Sequence, residues 1–295
     1  MTDDTTRRRF LAVAGSTTAL ALAGCAGGDG GGAGADTTDE GMTETGTDTM
    51  DEGMMSGPTT VTVRVENIAP TDLYGSDTPT GGGVWVTPGA YAVHTGENPL
   101  FTEGEEASVG LEGLAEAGPP TGFPDEPGLV DELQGMTGTM GVTAAGAYTP
   151  ANTVADPNDP MGEVPGAPPI APGGAFEFDV EAEPGQRLSF ASMFVPSNDL
   201  FFSPGAAGIT LWPEDGEPVE GDVTDSVRLW DAGTEPNAQP PGQGPDQAPA
   251  QDSPDQGADE GGVVRPLDSL TDGYDYPAVS DVIRVTLTPG GSMDG

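Results

Sequence analysis

One stretch of the chain decides the fold: residues 188–195 read Leu-Ser-Phe-Ala-Ser-Met-Phe-Val. Side chains alternate between the two faces of a β-strand, so Leu188, Phe190, Ser192 and Phe194 share one face if the segment is extended. Aromatic residues at alternate positions, in a run without Gly or Pro, are typical of a strand. We therefore predict a β-strand here and look for partner strands around it.

The same alternation recurs on both sides of this stretch. At residues 61–65 Val alternates with Thr and Arg, and at residues 176–180 Phe or Val alternates with Glu and Asp. Shorter apolar segments lie at residues 209–212, 227–230 and 283–287. Short strands separated by turns rich in Gly, Pro and Asp are typical of sandwiches and barrels, and we predict an all-β, antiparallel β-sandwich.

Helices have a small part in the predicted fold. Only residues 108–117 and 128–133 show helical patterns, with Ser108 as a candidate N-cap. The surplus length falls in two long loops, from Gly146 to Gly174 and from Gly233 to Gly262, each of which holds twelve Gly plus Pro.

The charge balance excludes several classes of function. The chain has 295 residues, with 8 basic residues (all Arg) against 49 Asp plus Glu, and a formal net charge of −41. Such a chain lacks the basic surface on which nucleic-acid binding depends. With one His and one Cys it cannot form a His/Cys zinc site or an internal disulfide, and His94 is the only candidate base for a Ser-His-Asp or Cys-His mechanism.

The acidic excess has two interpretations. Carboxylates repel one another in dilute buffer but are tolerated in concentrated salt, because the Debye length falls from about 8 Å at ~0.15 M to about 3 Å at ~1 M. The first interpretation is adaptation to high salt. The second is disorder, since 47 Gly and 30 Pro together make up 77 of the 295 residues.

The N-terminal segment resembles an export signal. Residues 6–11 read Thr-Arg-Arg-Arg-Phe-Leu, which is similar to a twin-arginine motif formed by Arg7 and Arg8. The apolar run from Leu11 to Ala23 has 13 residues, whereas a helix needs roughly 20 to cross a bilayer. Leu-Ala-Gly-Cys at residues 22–25 resembles a lipobox.

These features predict how the chain is divided and where it is located. Residues 1–24 are predicted to be a signal peptide, and Cys25 to carry the lipid that holds the protein on the extracellular face of the cell membrane. An ordinary secretory signal with an incidental Cys is the alternative. Residues 25–59, rich in Gly, Thr and acids, are predicted to be a flexible acidic tether to a domain at residues 60–289, with residues 290–295 as a tail.

Two motifs point to a family. Residues 196–202 read Pro-Ser-Asn-Asp-Leu-Phe-Phe directly after the strand that decides the fold, and residues 230–235 read Trp-Asp-Ala-Gly-Thr-Glu. This pair resembles the spondin domain, in which a Pro-Ser-x-Asp-aromatic turn and an aromatic-Asp-Ala-Gly-Thr-acid segment end two strands. Residues 98–116, 242–249 and 264–267 are similar to the family as well, chiefly to its microbial branch.

The resemblance covers residues 60–289 and implies a C2-like antiparallel β-sandwich. From the animal members of the family it also implies a calcium ion held by loop carboxylates, and the matching positions are Asp199, Asp231 and Glu235. Calcium takes roughly 6–8 oxygen ligands, and Gly233 gives the backbone the freedom to bring Asp231 and Glu235 together. The last acid of the family pattern is often Asp, so the Glu235 carboxylate extends one methylene further. The alternative is that all three acids serve solubility.

Other candidate sites are weaker. A blue-copper site needs two His and a Cys thiolate, but this chain has one His, and its only Cys is assigned to the lipid. His94 is interpreted as a hydrogen-bonded residue in a loop or at a strand end, and Trp85, Trp212 and Trp230 as packing residues rather than a sugar platform. No signature selects a pair of carboxylates for hydrolysis.

We therefore expect a non-enzymatic, membrane-tethered, extracellular spondin domain that binds calcium and acts as an adhesion or binding module. Its partner is expected to be an extracellular protein, glycan or lipid, while the charge excludes nucleic acid. The alternatives are a secreted hydrolase that uses paired carboxylates and a structural surface lipoprotein without a specific ligand.

Overall fold

The computed structural model describes residues 57–149, 153–155 and 169–290. The predicted signal peptide with Arg7 and Arg8, the lipidation residue Cys25 and almost all of the predicted tether lie outside these ranges. So does most of the C-terminal tail. Nearly all of the described residues belong to the predicted domain at residues 60–289.

Strands dominate the described residues, and the helices are short. The strands are β1 (Thr59–Asn67), β2 (Trp85–His94), β3 (Val142–Tyr148), β4 (Thr153–Ala155), β5 (Ala175–Ala182), β6 (Arg187–Val195), β7 (Leu200–Pro204), β8 (Ile209–Thr210), β9 (Gly221–Asp222), β10 (Val227–Asp231), β11 (Arg265–Pro266) and β12 (Ile283–Pro289). The helices are α1 (Val109–Ala117), α2 (Leu129–Met136) and α3 (Val279–Val282), and single 3₁₀ turns lie at Thr224–Ser226 and Leu267–Ser269.

The strands form two antiparallel sheets, which confirms the predicted β-sandwich. Sheet A has five strands in the order β4-β5-β1-β12-β9. Sheet B has seven, in the order β11-β10-β7-β6-β2-β3, with β8 also paired to β6. The stretch at residues 188–195 falls in β6, which pairs with β2, β7 and β8 near the middle of sheet B.

The main core lies between the two sheets. In β1, Val61, Val63 and Val65 have no exposed surface, and Val63 lies opposite Phe178 of β5 on one side and Leu287 of β12 on the other. These residues belong to one buried cluster with residues of sheet B such as Phe190 and Phe202. Burial of a side chain of this size stabilises the fold by about 1.5–3 kcal/mol.

A second core lies on the outer face of sheet B, under α1 and α2. Leu111 and Leu114 of α1 and Leu133 of α2 are fully buried in one cluster with Ala191 of β6 and Trp230 of β10. Strand β6 is therefore buried on both faces, which explains why its sequence carries small and apolar residues where a solvent-facing strand would carry charges.

The two main helices occur where the sequence predicts them. The Ser108 hydroxyl accepts a hydrogen bond from the Leu111 N–H at 3.2 Å and so caps α1. The helix ends at Gly118, whose φ of 92° belongs to the left-handed conformation that glycine adopts readily. Among the described helices, none has the length and apolar character that a membrane crossing requires.

Candidate metal centre

Asp199 lies in the short connection between β6 and β7. The Ser197 hydroxyl donates to the Phe194 carbonyl at 2.6 Å and accepts from the Leu200 N–H at 3.1 Å, so one side chain fixes both ends of the turn. Asp199 follows with no exposed surface. The Pro-Ser-Asn-Asp sequence thus builds a tight turn that directs a carboxylate into the protein.

Strand pairing places Asp231 beside Asp199. It is the last residue of β10 and lies opposite Leu200 of β7, and the next N–H, that of Ala232, donates to the Asp199 carbonyl at 3.2 Å. Asp231 also has no exposed surface. The register of sheet B therefore places two buried carboxylates side by side although they are 32 positions apart in the chain.

A third carboxylate, that of Glu260, completes the group. The long loop at residues 233–262 returns to its own beginning, because the Glu260 N–H donates to the Thr234 carbonyl at 2.7 Å and the Gly262 N–H to the Gly233 carbonyl at 2.8 Å. Asp199, Asp231 and Glu260 each offer one oxygen, and the three oxygens lie within 4.8 Å of one another. We call these residues the carboxylate trio.

Arg265 of β11 supplies a positive charge beside the trio. Arg265 lies opposite Asp231 in the sheet, and its Nη2 donates a hydrogen bond to Glu260 Oε1 at 2.7 Å. Its Nε lies 3.1 Å from Asp231 Oδ1, an ion pair that is not aligned as a hydrogen bond. The trio and Arg265 together carry a formal charge of −3 + 1 = −2. Burial works against the charged guanidinium, but its contacts with Glu260 and Asp231 outweigh that cost and raise the pKa of Arg265.

Each acid of the trio accepts hydrogen bonds through one oxygen, while its other oxygen accepts none from the described residues. Asp199 Oδ2 accepts the N–H groups of Thr234 and Glu235 at 3.0 and 3.2 Å, Asp231 Oδ2 accepts the Asn237 side-chain amide, and Glu260 Oε1 is held by Arg265. Asp199 Oδ1, Asp231 Oδ1 and Glu260 Oε2 are buried and accept no hydrogen bond from the described residues. Buried oxygens of this kind are costly unless a cation or a proton satisfies them.

The pKa values of the buried aspartates also indicate that the trio needs a positive charge. Burial, reinforced by the charge of Asp231, raises the pKa of Asp199 well above its ordinary range. Burial also raises the pKa of Asp231, although Arg265 opposes the shift. Two ionised carboxylates in this position are unfavourable without more positive charge than Arg265 provides, so the trio favours a bound cation or a bound proton.

Glu235, the third residue expected from the sequence, lies next to the trio and is not part of it. Its backbone N–H donates to Asp199, but its side chain turns away, and Glu235 Oε1 accepts the Gly257 N–H at 2.8 Å. The structure thus brings Asp199 and Asp231 together as expected and places Glu260 where Glu235 was expected. Gly233, which follows Asp231 by two positions, adopts a φ of 71°, and a Cβ there would collide with the backbone of Val263.

Sequence patterns did not single out Glu260, and they gave Arg265 no role at the site. Both residues depend on the path of the loop at residues 233–262, which has no helix or strand. The one signal in the sequence was indirect: Arg265 is one of only 8 basic residues in the chain and follows Glu260 by five positions.

His94, the only candidate base of its type, lies at the end of β2 and has no exposed surface. Its Nε2 is 2.9 Å from the Ser189 hydroxyl and its Nδ1 is 3.0 Å from the Gly96 carbonyl. Burial lowers the pKa of His94, although the hydrogen bond to Gly96 opposes the shift, so the folded state favours the neutral ring. This position agrees with the expected role of His94 as a hydrogen-bonded residue at a strand end.

The buried ring of His94 predicts a pH effect on stability. In the unfolded chain the ring gains a proton below about pH 6.5, whereas the folded state keeps it neutral, so its contribution to stability is present above pH ~6.5 and is lost as the pH falls. We expect the free-energy difference between the parent and His94→Gln to shrink from pH ~7.5 to pH ~5.5, by at most about 1.4 kcal/mol for a single group. Urea unfolding at both pH values measures it, and a pH-independent difference would contradict this role.

A comparison with models of known protein families finds no match for this chain, and neither does a comparison with curated proteins. Function is therefore inferred from the geometry of the carboxylate trio.

Proposed function

We propose that this protein is a calcium-binding, lipid-anchored module of the extracellular cell surface, similar to a spondin domain and acting in adhesion or binding rather than in catalysis. The observation that carries the proposal is the convergence of Asp199, Asp231 and Glu260 at the end of sheet B, with oxygens within 4.8 Å of one another. Two oxygens bound to one calcium ion at about 2.4 Å can be at most about 4.8 Å apart, and the three oxygens of the trio satisfy this upper limit.

The donor set and the charge suit calcium. All three residues provide carboxylate oxygens, the hard ligands that calcium prefers, and three of these oxygens are buried without a hydrogen-bond partner among the described residues. The trio and Arg265 leave a formal charge of −2, which one divalent cation neutralises. In this proposal Asp199, Asp231 and Glu260 hold the ion, and calcium cross-links the β6–β7 turn, the end of β10 and the loop at residues 233–262.

The membrane attachment proposed here rests on the sequence. A twin-arginine motif at Arg7 and Arg8 and a lipobox that ends at Cys25 would place the domain outside the cell, on an acidic tether. The net charge of −41 suits concentrated salt and calcium-rich surroundings better than contact with nucleic acid or bare anionic lipid. The partner of the module would be an extracellular protein, glycan or lipid.

Hydrolysis by paired carboxylates is the weaker proposal. A catalytic carboxylate must reach its substrate, but Asp199 and Asp231 have no exposed surface. A cavity of about 640 Å³ is lined by none of the trio. The acids that line it are Asp225, Asp268 and Asp272, and Asp272 accepts hydrogen bonds from the Tyr274 N–H and the Tyr276 hydroxyl. Trp212 and Trp230 are buried, with their indole N–H groups bound to backbone carbonyls, which does not favour a sugar platform.

Calcium is expected to stabilise the full-length protein, and Asp231→Asn is expected to remove the part of this effect that the trio contributes. A ligand at about 100 times its Kd contributes about 2.7 kcal/mol, which raises the melting temperature of a domain of this size by about 5–10 °C. The measurement is a thermal scan in concentrated KCl, first with a chelator and then with excess calcium. Asp231→Asn keeps the size of the side chain and removes one charge from the trio.

The matched control is Asp268→Asn, which alters an exposed acid two positions after β11. This variant should keep the full calcium effect. An unchanged melting temperature in the parent protein would refute the proposal, and so would a calcium effect in Asp231→Asn that is as large as in the parent.

A further inference from the structure

A second group of acids lies where the long loop meets α1. Glu112 and Glu116 are four positions apart on α1, so they share one helix face, and Asp255 comes from the loop at residues 233–262. The three residues offer carboxylate oxygens that lie within 4.8 Å of one another. Glu116 is only 3% exposed, although it is a charged residue on a short helix. We call this group the loop–helix cluster.

Two buried oxygens without partners lie beside this cluster. Glu235 is 2% exposed, and its Oε2 accepts no hydrogen bond from the described residues. Its charge acts on Glu116, and that of Asp255 acts on Glu235, so the Glu235 carboxylate lies near the cluster. Gln251 donates its side-chain amide to the Glu116 carbonyl at 3.0 Å, while its Oε1 is buried and likewise has no partner among the described residues.

The charges that act most strongly on the buried Glu116 and Glu235 are all negative. The acids near Glu116 are Glu235, Glu112 and Asp255. Those near Glu235 are Asp246, Asp255 and Asp259. Burial, which these charges reinforce, raises the pKa of Glu116 to about 8, although the Thr234 hydroxyl opposes the shift. The carboxylate trio has Arg265 as a counter-ion, whereas the charges that act most strongly on Glu116 and Glu235 are all negative. A bound cation is therefore favoured here even more than at the trio.

We propose that Glu112, Glu116 and Asp255, with the buried Glu235 carboxylate beside them, form a second divalent-cation site. It is separate from the carboxylate trio, binds calcium and ties the loop at residues 233–262 to α1. The donors are again carboxylates, supplemented by the Gln251 amide oxygen, a set that suits calcium. The loop has no helix or strand of its own in the described residues. A cation between Asp255 and α1 therefore holds the loop by a contact that backbone hydrogen bonding does not supply.

Counting bound calcium tests the second site. The full-length protein is treated with a chelator, transferred to concentrated KCl and dialysed against calcium alone. We expect the parent to bind two ions per chain, whereas Asp199→Asn, Glu116→Gln and Asp255→Asn each bind one. Asp255 is exposed and has a φ of 55°, a left-handed conformation that Asn tolerates, so Asp255→Asn is expected to fold even if Glu116→Gln does not. Glu126→Gln, an exposed acid between α1 and α2, is the matched control and should bind two.

Hydrogen exchange gives an independent readout. In Asp199→Asn, which keeps only the loop–helix cluster, calcium should slow amide exchange in residues 246–257, and the double variant Asp199→Asn/Asp255→Asn should lose this protection. If the parent binds one ion, which Asp199→Asn removes, the second site is refuted and the proposed function stands. If the parent binds one ion, which Asp255→Asn removes, the second site stands and the trio is refuted. Two ions in Asp255→Asn and in Glu116→Gln would also refute the second site.

Discussion

Replacement of Arg265 by glutamine is expected to lower the melting temperature of the calcium-free protein and to enlarge the stabilisation by calcium. Arg265 Nε lies 3.1 Å from Asp231, and its Nη2 lies 2.7 Å from Glu260. Loss of this guanidinium leaves buried carboxylates without their counter-ion. Because the Arg265 side chain is 28% exposed, we expect a loss of about 3 kcal/mol, the lower end of the cost of breaking a buried pair. This corresponds to about 6–12 °C for a domain of this size.

Calcium should reverse most of that loss, since a divalent ion supplies the missing positive charge and meets no competition from Arg265. The calcium-induced shift in melting temperature should therefore be larger in Arg265→Gln than in the parent. Arg284→Gln is the control, because Arg284 is half exposed and its carboxylate partners are 3.7 and 3.9 Å away. Exposed pairs contribute about 0–1 kcal/mol, so this variant should change little and should keep the parent's response to calcium. A loss in Arg265→Gln that calcium does not relieve would contradict the arrangement.

Gly89→Ala is expected to destabilise the sandwich by about 3 kcal/mol or more, near or above the upper end of the cost of overpacking a core. Gly89 lies in β2 between its two partner strands, opposite Ser192 of β6 and Tyr148 of β3. A Cβ on Gly89 would collide with the Ala191 carbonyl oxygen and with the Tyr148 ring and hydroxyl. The carbonyl belongs to the ladder of sheet B, and the Tyr148 ring is stacked on Phe178 at 4.8 Å, so neither group can move without loss of packing. Urea unfolding of the calcium-free protein measures the change.

Gly135→Ala serves as the control because it makes the same chemical change in open space. Gly135 is exposed in α2, and a Cβ there would meet nothing within 4 Å. Alanine stabilises an exposed helical position relative to glycine by about 0.5–1 kcal/mol. The two variants should therefore shift stability in opposite directions. Similar effects from both would show that sheet B tolerates a side chain at position 89.

The position of the trio relates the fold to the proposed function. Sheet B contributes Asp199 through the connection of β6 to β7 and Asp231 through the end of β10, and the loop at residues 233–262 contributes Glu260. Two acids thus stand on rigid elements, while the third belongs to a loop that calcium would fix. A binding surface formed by this loop would then depend on calcium through the ordering of the loop.

Local sequence patterns were sufficient to predict much of the fold. The alternation at residues 61–65 and 176–180 predicts β1 and β5, and Ser108 predicts the start of α1, because a strand face and a helix cap are formed by residues close together in the chain. Other elements were less visible. Strand β2 contains Pro88 and Gly89, which interrupt the pattern, and only the neighbouring strands of sheet B show why they fit.

The candidate metal site was likewise predicted only in part from the sequence. The sequence by itself determined the acidic character of the chain, the strands that end near Asp199 and Asp231, and the exclusion of His/Cys metal sites. Only the tertiary structure decided that Glu260, and not Glu235, completes the trio, and that Arg265 lies beside it. The physical reason is that the loop at residues 233–262 has no periodic sequence pattern. Its course is set by distant contacts such as that of the Ala248 N–H with the Ser197 carbonyl at 3.0 Å. Side chains on such a loop meet only after the sheets have formed.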